Sequence, residues 1–371
     1  MNKNTLLVLN IPPPYGGGEI RAQLLADYFK NSVGYTVYSY SRTKSSKKTQ
    51  GKFLFPNLIF GIEFIYSVLI IILKKRPQRL FISLPKEFFG FFRTSTIIMI
   101  SSLLRIKVYG DLAGAFFTFL GRKNSLKYYF GKYILKKVTS IRLLGPSIKE
   151  VFEGIGIRNT VYFSNGVYKP LNRTIKKEVI YNNVLNLLYV GALNYSKGIE
   201  KIIYSVDQCL KNNLSIKLYC IGEWSDEKER KEIESLINNL GIEEHITFHG
   251  LLIDKAKWDI FSNCGLLLHP TNWDGQPLTI LEAMGLGLGI ISTKVGAIHD
   301  TVIHERNGII LKRNDSRNLT EAINLFYLNR DYLASVSKNN IEDFNNKYTT
   351  DIFLNNFFNW LEDTPLNKGI L

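Results

Sequence analysis

The 371-residue sequence has few cysteines, few histidines and, in its first half, few acidic residues. Three cysteines, Cys209, Cys220 and Cys264, are too few and too scattered for a disulfide framework or a zinc site. No apolar run approaches the roughly 20 residues of a bilayer span. Phe64–Leu73 is almost wholly apolar but stops at Lys74-Lys75-Arg76, so a buried or interface-facing helix is expected there. Met1–Asn4 leads straight into a strand-like run, Thr5–Ile11, without the longer apolar stretch and small-residue cleavage site of a secretory signal. A reduced, cytoplasmic chain is the expectation. No solenoid repeat or low-complexity tract is present.

Apolar residues make up 45% and charged residues 21% of the chain, which places it among globular proteins and excludes disorder. Its length suits two domains. The net charge of +15 is unevenly spread. Residues 1–166 carry 25 Lys and Arg against 7 Asp and Glu, net +18, and the remainder carries 22 against 25, net −3. A half this basic calls for an anionic partner. Its aromatics favour a membrane surface: Phe88, Phe89, Phe91 and Phe92 lie between Lys86 and Arg93, and Tyr128, Tyr129, Phe130 and Tyr133 are interleaved with Lys123, Lys127, Lys132, Lys136 and Lys137. A solvated basic face with inward aromatics is the plainer reading. No zinc-finger spacing or RNP-type motif supports a nucleic-acid partner.

Strand and helix patterns alternate through both halves. Thr5–Ile11, Tyr35–Tyr40, Leu80–Leu84 and Ile106–Tyr109 read as strands in the first half, and Asn186–Val190, Ser215–Ile221, Ile246–His249, Gly265–His269 and Gly289–Ser292 in the second. This alternation predicts parallel sheets covered on both faces. The polar stretch Tyr168–Glu178, with Pro170, predicts the join. The boundaries expected are 1–168, a linker over 169–180, 181–345, and a C-terminal segment 346–371 whose Thr350–Glu362 is amphipathic. Two doubly wound domains enclose a cleft, and ligands of such sheets bind beyond the carboxyl ends of the strands.

Three loops in such positions carry polar chemistry. Pro12–Glu19 places Gly16, Gly17 and Gly18 at the start of a helix, where a phosphate is a natural guest or a plain turn suffices. Tyr189–Gly198 ends a strand at Gly191 and puts Lys197 at a helix start, suited to a diphosphate. His269–Met284 runs from strand to loop to helix, with Pro277 near the first helical position. Asp274 ends its loop side, and Glu282 lies among Ile280, Leu281, Ala283 and Met284, where a carboxylate has reason to face a polar ligand.

Lys197-Gly198 followed by Asp274-Gly275-Gln276-Pro277-Leu278 and Glu282-Ala283-Met284 resembles the retaining glycosyltransferases of family 4, with their GT-B fold of two Rossmann-like domains facing a cleft. The Gly16–Glu19 loop, Asn165-Gly166-Val167, Gly222-Glu223, Phe248-His249-Gly250, Val295-Gly296 and Asn307-Gly308 are similar to that family's further turns, so the likeness covers nearly the whole chain. It implies a UDP- or GDP-sugar donor as co-substrate, no cofactor and no metal; no Asp-x-Asp pair is present. Glu282 would take the ribose hydroxyls. Asp274, where the family usually has Glu, would take sugar hydroxyls with the Gly275 and Gln276 backbone. Lys197 and the N–H groups of Leu278 and Thr279 would neutralise the diphosphate. Gly222 and Gly250, with Leu251, would border the base, and Gly16–Gly18 would approach the sugar-phosphate from the other domain. The likeness also implies that the C-terminal helix crosses back to the first domain.

The sequence departs from the family in three places. Ala192 stands where Arg is common, Gly289 where Pro is usual, and no His precedes residue 167, so that Tyr109 or Asp111 would stand in at the sugar. The implied activity is sugar transfer, with retained anomeric configuration, to a glycan or polyprenyl-linked acceptor in surface-polysaccharide assembly, at the inner face of the cell membrane. A degenerate GT-B protein serving as a binding or scaffold subunit, or a nucleotide-sugar epimerase, are the alternatives.

Overall fold

The computed structural model describes residues 4–13, 16–41, 55–112, 114, 120–168, 174–175 and 177–366, with side chains in the second helix from residue 58. The chain divides into two compact units, one of residues up to Asn165 together with the chain from Leu354, the other Gly166–Phe353.

In the first unit, strands β1 (Thr5–Asn10), β2 (Tyr35–Tyr40), β3 (Arg79–Ser83), β4 (Lys107–Asp111), β5 (Ser140–Leu143) and β6 (Thr160–Tyr162) form one parallel sheet in the order β2-β1-β3-β4-β5-β6. Leu6, Leu7, Val8 and Leu9 of β1 are all buried, as a strand covered on both faces requires. Helices α1 (Gly17–Phe29), α2 (Phe55–Lys75), α3 (Phe88–Leu103), α4 (Leu126–Lys137) and α5 (Pro146–Gly154) make the crossovers. The apolar run Phe64–Leu73 lies in α2, which buries Phe64, Val68 and Ile72 at helical spacing and exposes Ile62, Tyr66 and Leu73. Among the described residues no helix is long and apolar enough to cross a membrane.

In the second unit, β7 (Leu185–Val190), β8 (Ile216–Ile221), β9 (Ile246–Phe248), β10 (Leu266–His269), β11 (Gly289–Thr293) and β12 (Gly308–Leu311) form a parallel sheet in the order β12-β11-β10-β7-β8-β9. Its helices are α6 (Lys177–Ile180), α7 (Ile199–Lys211), α8 (Glu227–Leu240), α9 (Asp254–Ser262), α10 (Leu278–Leu286), α11 (Ile298–Thr301), α12 (Ser316–Leu328), α13 (Arg330–Lys347) and the start of α14 (Thr350–Leu361). α7 buries Ile199, Ile202, Ile203, Val206 and Cys209, a single stripe at spacings of three and four. α8 buries only Ile233 and Ile237; it starts at the Asp226 cap and stops at Gly241. All three cysteines are buried and unlinked.

The division between the units falls at Asn165, ahead of the border expected at 168, because Val167 is already tied into the second unit. Its N–H donates to the Tyr348 carbonyl, and its own carbonyl accepts from the Thr350 N–H. Of the expected linker, 169–173 and 176 lie outside the described residues, and Lys177–Ile180 is helical. The expected border at 346 falls inside α13. Residues beyond 366 also lie outside the described residues. From Leu354 onward α14 packs within the first unit, where Phe357 and Trp360 meet Phe81 edge-on and the Trp360 indole donates to Ser140 Oγ.

Candidate functional site

The strand order of the second unit reverses at its middle. From β7 the chain steps outward to β8 and β9, whereas from β10 it steps the other way to β11 and β12, so β7 and β10 are neighbours from which the chain winds in opposite directions. The crevice beyond the carboxyl ends of such a pair is the ligand position of doubly wound sheets. The two most informative loops of the sequence leave these two strands.

The loop after β7 closes on the loop after β10. Gly198 has φ +87°, and a Cβ there would run into the Pro270 backbone carbonyl. Only glycine lets the loops touch at this distance. Just before it, Asn194 caps a 3₁₀ turn by accepting from the Lys197 N–H at 2.9 Å. The Lys197 ammonium donates to Asp274 Oδ2 at 2.6 Å. His269 Nε2 lies 3.4 Å from the same oxygen, and Asp274 Oδ1 accepts from the Gly275 N–H at 2.9 Å. Burial opposes the ionised form of Asp274, but the contact with His269 and the charge of Lys197 outweigh it and hold the carboxyl well below the usual carboxylate range.

Helix α10 begins at Leu278 without a side-chain cap. The geometry of a helix leaves its first N–H groups without intrahelical partners and gives that end a positive potential. Thr279 Oγ1, in the first turn, is buried without a hydrogen-bond partner. One turn on, Glu282 Oε1 accepts from the Lys257 ammonium at 2.6 Å, while Oε2 is buried without a partner. Burial raises the Glu282 carboxyl above its usual value, and Lys257 counters part of that rise. A buried polar atom left unpaired costs about 1–3 kcal/mol. Thr279, Glu282 and His269, whose Nδ1 is also unpartnered, bear such atoms within one loop and the helix that follows it.

Gly191 and Gly222 directly follow the adjacent strands β7 and β8, and Gly250 follows β9 by two residues. A Cβ on Gly222, at φ +144°, would strike the Gly191 carbonyl, and the Gly222 N–H donates to the Gly250 carbonyl at 2.8 Å. Leu251 beside them is half exposed. Gly275 accepts from the Ala297 N–H through its carbonyl. The Gln276 side chain turns inward to Thr301 Oγ1 at 2.8 Å, so only its backbone is offered to a ligand. Ala192 accepts from the Tyr189 hydroxyl through its carbonyl; the Lys201 ammonium donates to Asn272 Oδ1, in the loop after β10, at 3.0 Å.

The remaining expected residues belong to the first unit. Gly17 and Gly18 are the first residues of α1 and Gly16 is its extended N-cap. A Cβ on Gly18 would meet nothing within 4 Å, so the fold itself does not demand glycine there. Asp111, the expected stand-in for histidine, is not aimed at a ligand. It is 1% exposed, and its two oxygens are held by Arg21 and by Arg142, the latter at 2.8 Å. Both guanidinium groups also reach Asn165 Oδ1, so Asp111 is the internal counter-ion of a buried network. Burial lowers the Arg142 guanidinium to about 10 despite the attraction of Asp111. Tyr109 is fully buried, with its hydroxyl on Asp363. Lys257 and His269 are the site residues that sequence reasoning missed. His269 could be found, because it is the last residue of the strand that feeds the loop. Lys257 lies on another helix with no spacing to mark it.

Two parallel, doubly wound α/β units, the second with its polar loops at the strand-order reversal, define the GT-B class. Within that fold, residues 172–343 match the family model of the glycosyl transferases group 1. An uncharacterized glycosyltransferase of Methanocaldococcus jannaschii is 27% identical over 232 residues, 61% of this chain and 60% of that protein. The capsular polysaccharide biosynthesis glycosyltransferase CapM of Staphylococcus aureus is 24% identical over 60% of this chain and 63% of its own length. The chain thus spans less than two thirds of these relatives. Among solved structures, the sucrose-phosphate synthase of Thermosynechococcus elongatus has a TM-score of 0.78 at 15% identity, over 97% of this chain and 99% of that one. HepE of Anabaena in complex with UDP has a TM-score of 0.73 at 15% identity, over 97% and 100%. At such identities the likeness is one of fold.

Proposed function

We propose that this protein is a retaining glycosyltransferase that moves a sugar from a nucleoside diphosphate sugar to a glycan or lipid-linked acceptor in surface-polysaccharide assembly. The observation that carries this reading is the gathering of Lys197, Asp274, an uncapped helix start, Thr279 and Glu282 beyond β7 and β10. In this reading Lys197 exchanges Asp274 for the diphosphate, and the Leu278 and Thr279 N–H groups take its other oxygens. Asp274, released from Lys197, accepts from the sugar hydroxyls, and Glu282 Oε2 accepts from the ribose. Negative charge grows on the departing diphosphate, and fixed donors stabilise it where it develops. Lys197 and the helix start supply the positive charge that this step needs, so no metal ion is required; turnover is expected to survive EDTA.

The bound UDP of the fold neighbour supports a uridine donor, and the named role of the staphylococcal relative supports a capsule-like setting. Exposed Phe89, Phe92, Leu126, Tyr129 and Tyr133 on α3 and α4, beside Lys127, Lys136 and Lys137, support peripheral attachment to an anionic membrane at its cytoplasmic face. The deciding experiment is calorimetric titration of wild type and Glu282→Ala with UDP, GDP and ADP. Binding of one diphosphate, lost in the variant, is expected. No binding of any of the three would sink the reading.

A further inference from the structure

The Lys257–Glu282 pair is only half satisfied. One carboxylate oxygen is taken by the ammonium at 2.6 Å, and the other is buried with no partner. An ion pair that served packing alone would have both oxygens paired or wet, because a buried unpaired acceptor is costly. The lysine is also held in place from below. Its ammonium lies 4.7 Å from the Trp258 ring centroid and 5.5 Å from that of Phe261, and Phe261 is fully buried. α9 and α10 pack together, so the cation reaches the carboxylate from a fixed platform.

We infer that Lys257 is a positioning residue: its ammonium fixes the Glu282 carboxylate by one oxygen and so presents the other to the hydroxyls of a nucleotide ribose. This rests on the nucleotide-sugar reading above and adds to it a residue on another helix. A carboxylate accepts from two hydroxyls, whereas the protonated acid has lost part of that capacity and gained a donor. Lys257 is the charged group that acts on Glu282. From the other elements packed on α10, His269 of β10 faces Asp274, Phe344 of α13 lies at Gly285, and Asp343 of α13 is held by Arg306 and Asn307. Without Lys257, burial acts on the carboxyl unopposed and the group protonates at higher pH. Sensitivity to the ribose hydroxyl then becomes dependent on pH.

The test titrates the full chain with UDP and GDP and with their 2′-deoxy forms between pH 6.0 and 8.5. Wild type, Lys257→Met, Lys257→Arg and Glu282→Gln are compared. Taking the ratio of each variant's Kd to that of wild type at the same pH cancels the titration of the ligand's own phosphate. Wild type is expected to prefer the ribonucleotide by about ten- to a hundredfold, the range of a hydrogen bond to a charged group. Lys257→Met should bind more weakly at pH 6.0 and recover as pH rises, by up to about tenfold per unit for a single proton. It should also lose most of the 2′-hydroxyl preference at the acid end. Lys257→Arg should restore the wild-type profile. Glu282→Gln should lose the preference at every pH, and it carries the test if Lys257→Met does not fold. If wild type binds but Lys257→Met keeps a flat ratio and the full 2′-hydroxyl preference, the inference is wrong while the nucleotide site stands. If wild type binds neither diphosphate, both fall.

Discussion

At the scale of single residues, a few positions determine whether the site exists. Gly198 is one, since its positive φ and the Pro270 carbonyl leave no room for a Cβ. Gly198→Ala is expected to cost about 2 kcal/mol or more, the left-handed penalty plus displaced backbone, as read by urea unfolding, and to separate Lys197 from Asp274. Lys197→Ala should behave differently. The Lys197 and Asp274 side chains are 28% and 25% exposed, and such a pair contributes up to about 1 kcal/mol to stability. If Lys197 stabilises a leaving diphosphate, kcat should fall by about 10²–10³ with little change in Tm. Equal losses in both would make it a structural residue. Part of this was legible in the sequence: Lys197 and Asp274 stand in strand-to-helix connections whose ends the apolar pattern marks, and Glu282 in the helix that follows the second. Asp111 was misread for a physical reason. Its partners Arg21 and Arg142 lie 90 and 31 residues away in the chain, and no local pattern reveals a carboxylate already neutralised from such distances.

At the scale of elements, the clearest dependence is that of the last helix on the first unit. Arg79, 1% exposed at the start of β3, pairs with Glu362 at 2.6 Å and Asp363 at 3.3 Å. Asp363 also accepts from Lys107 at 2.8 Å and from the Tyr109 hydroxyl. Replacing both acids, Glu362→Gln with Asp363→Asn, strands a buried guanidinium. The cost should be about 2 kcal/mol, between that of a fully buried pair and an exposed one. Burial opposes the charge on Asp363, but Lys107, Tyr109 and Arg79 prevail and hold its carboxyl below the usual range. A depressed carboxyl contributes stability that is complete above its unfolded value, about 3.9, and is lost as pH falls through its folded one. The gap between wild type and Asp363→Asn, measured by urea unfolding, should therefore be constant from pH 5 to 8 and close below about pH 4. A gap unchanged at pH 3 would assign it to packing. The strands with near-continuous apolar runs were legible, as was the stripe of α7. The sequence pattern did not announce β5, β6, β12 or α13. β5 carries Arg142 in its middle, and β6 is three residues long. α13 buries Ser337, Asn340 and Asp343 among Leu333, Val336 and Phe344, so half of its inward stripe is polar.

At the scale of the whole molecule, the unequal charge separates two kinds of chemistry. The acidic half carries the carboxylates at the switch of its sheet, while the basic half, net +18 over residues 1–166, presents aromatics beside lysines. On α4, Tyr129 and Tyr133 are more than half exposed, and the Lys137 ammonium lies 5.3 Å from the Tyr133 ring centroid. Phe92 of α3, also exposed, packs 5.8 Å from Phe130 of α4, so the two helices share one aromatic surface. The proposed membrane attachment would use this surface through charge, through apolar insertion, or through both, and the terms separate experimentally. Juxtamembrane lysines contribute about 1 kcal/mol each on an anionic bilayer, so Lys127→Glu, Lys136→Glu and Lys137→Glu together should weaken partitioning into phosphatidylglycerol vesicles by about 100-fold or more. High salt should weaken wild type in the same direction, because exposed charges are screened within about 10 Å at 0.1 M. Phe89→Ser with Phe92→Ser should instead leave the salt dependence intact and lower binding at every salt concentration. Equal sedimentation of wild type with neutral phosphatidylcholine and anionic vesicles would remove the electrostatic half of the argument. No sedimentation with either would return the lysines to a solvated face and leave the acceptor to be sought in solution.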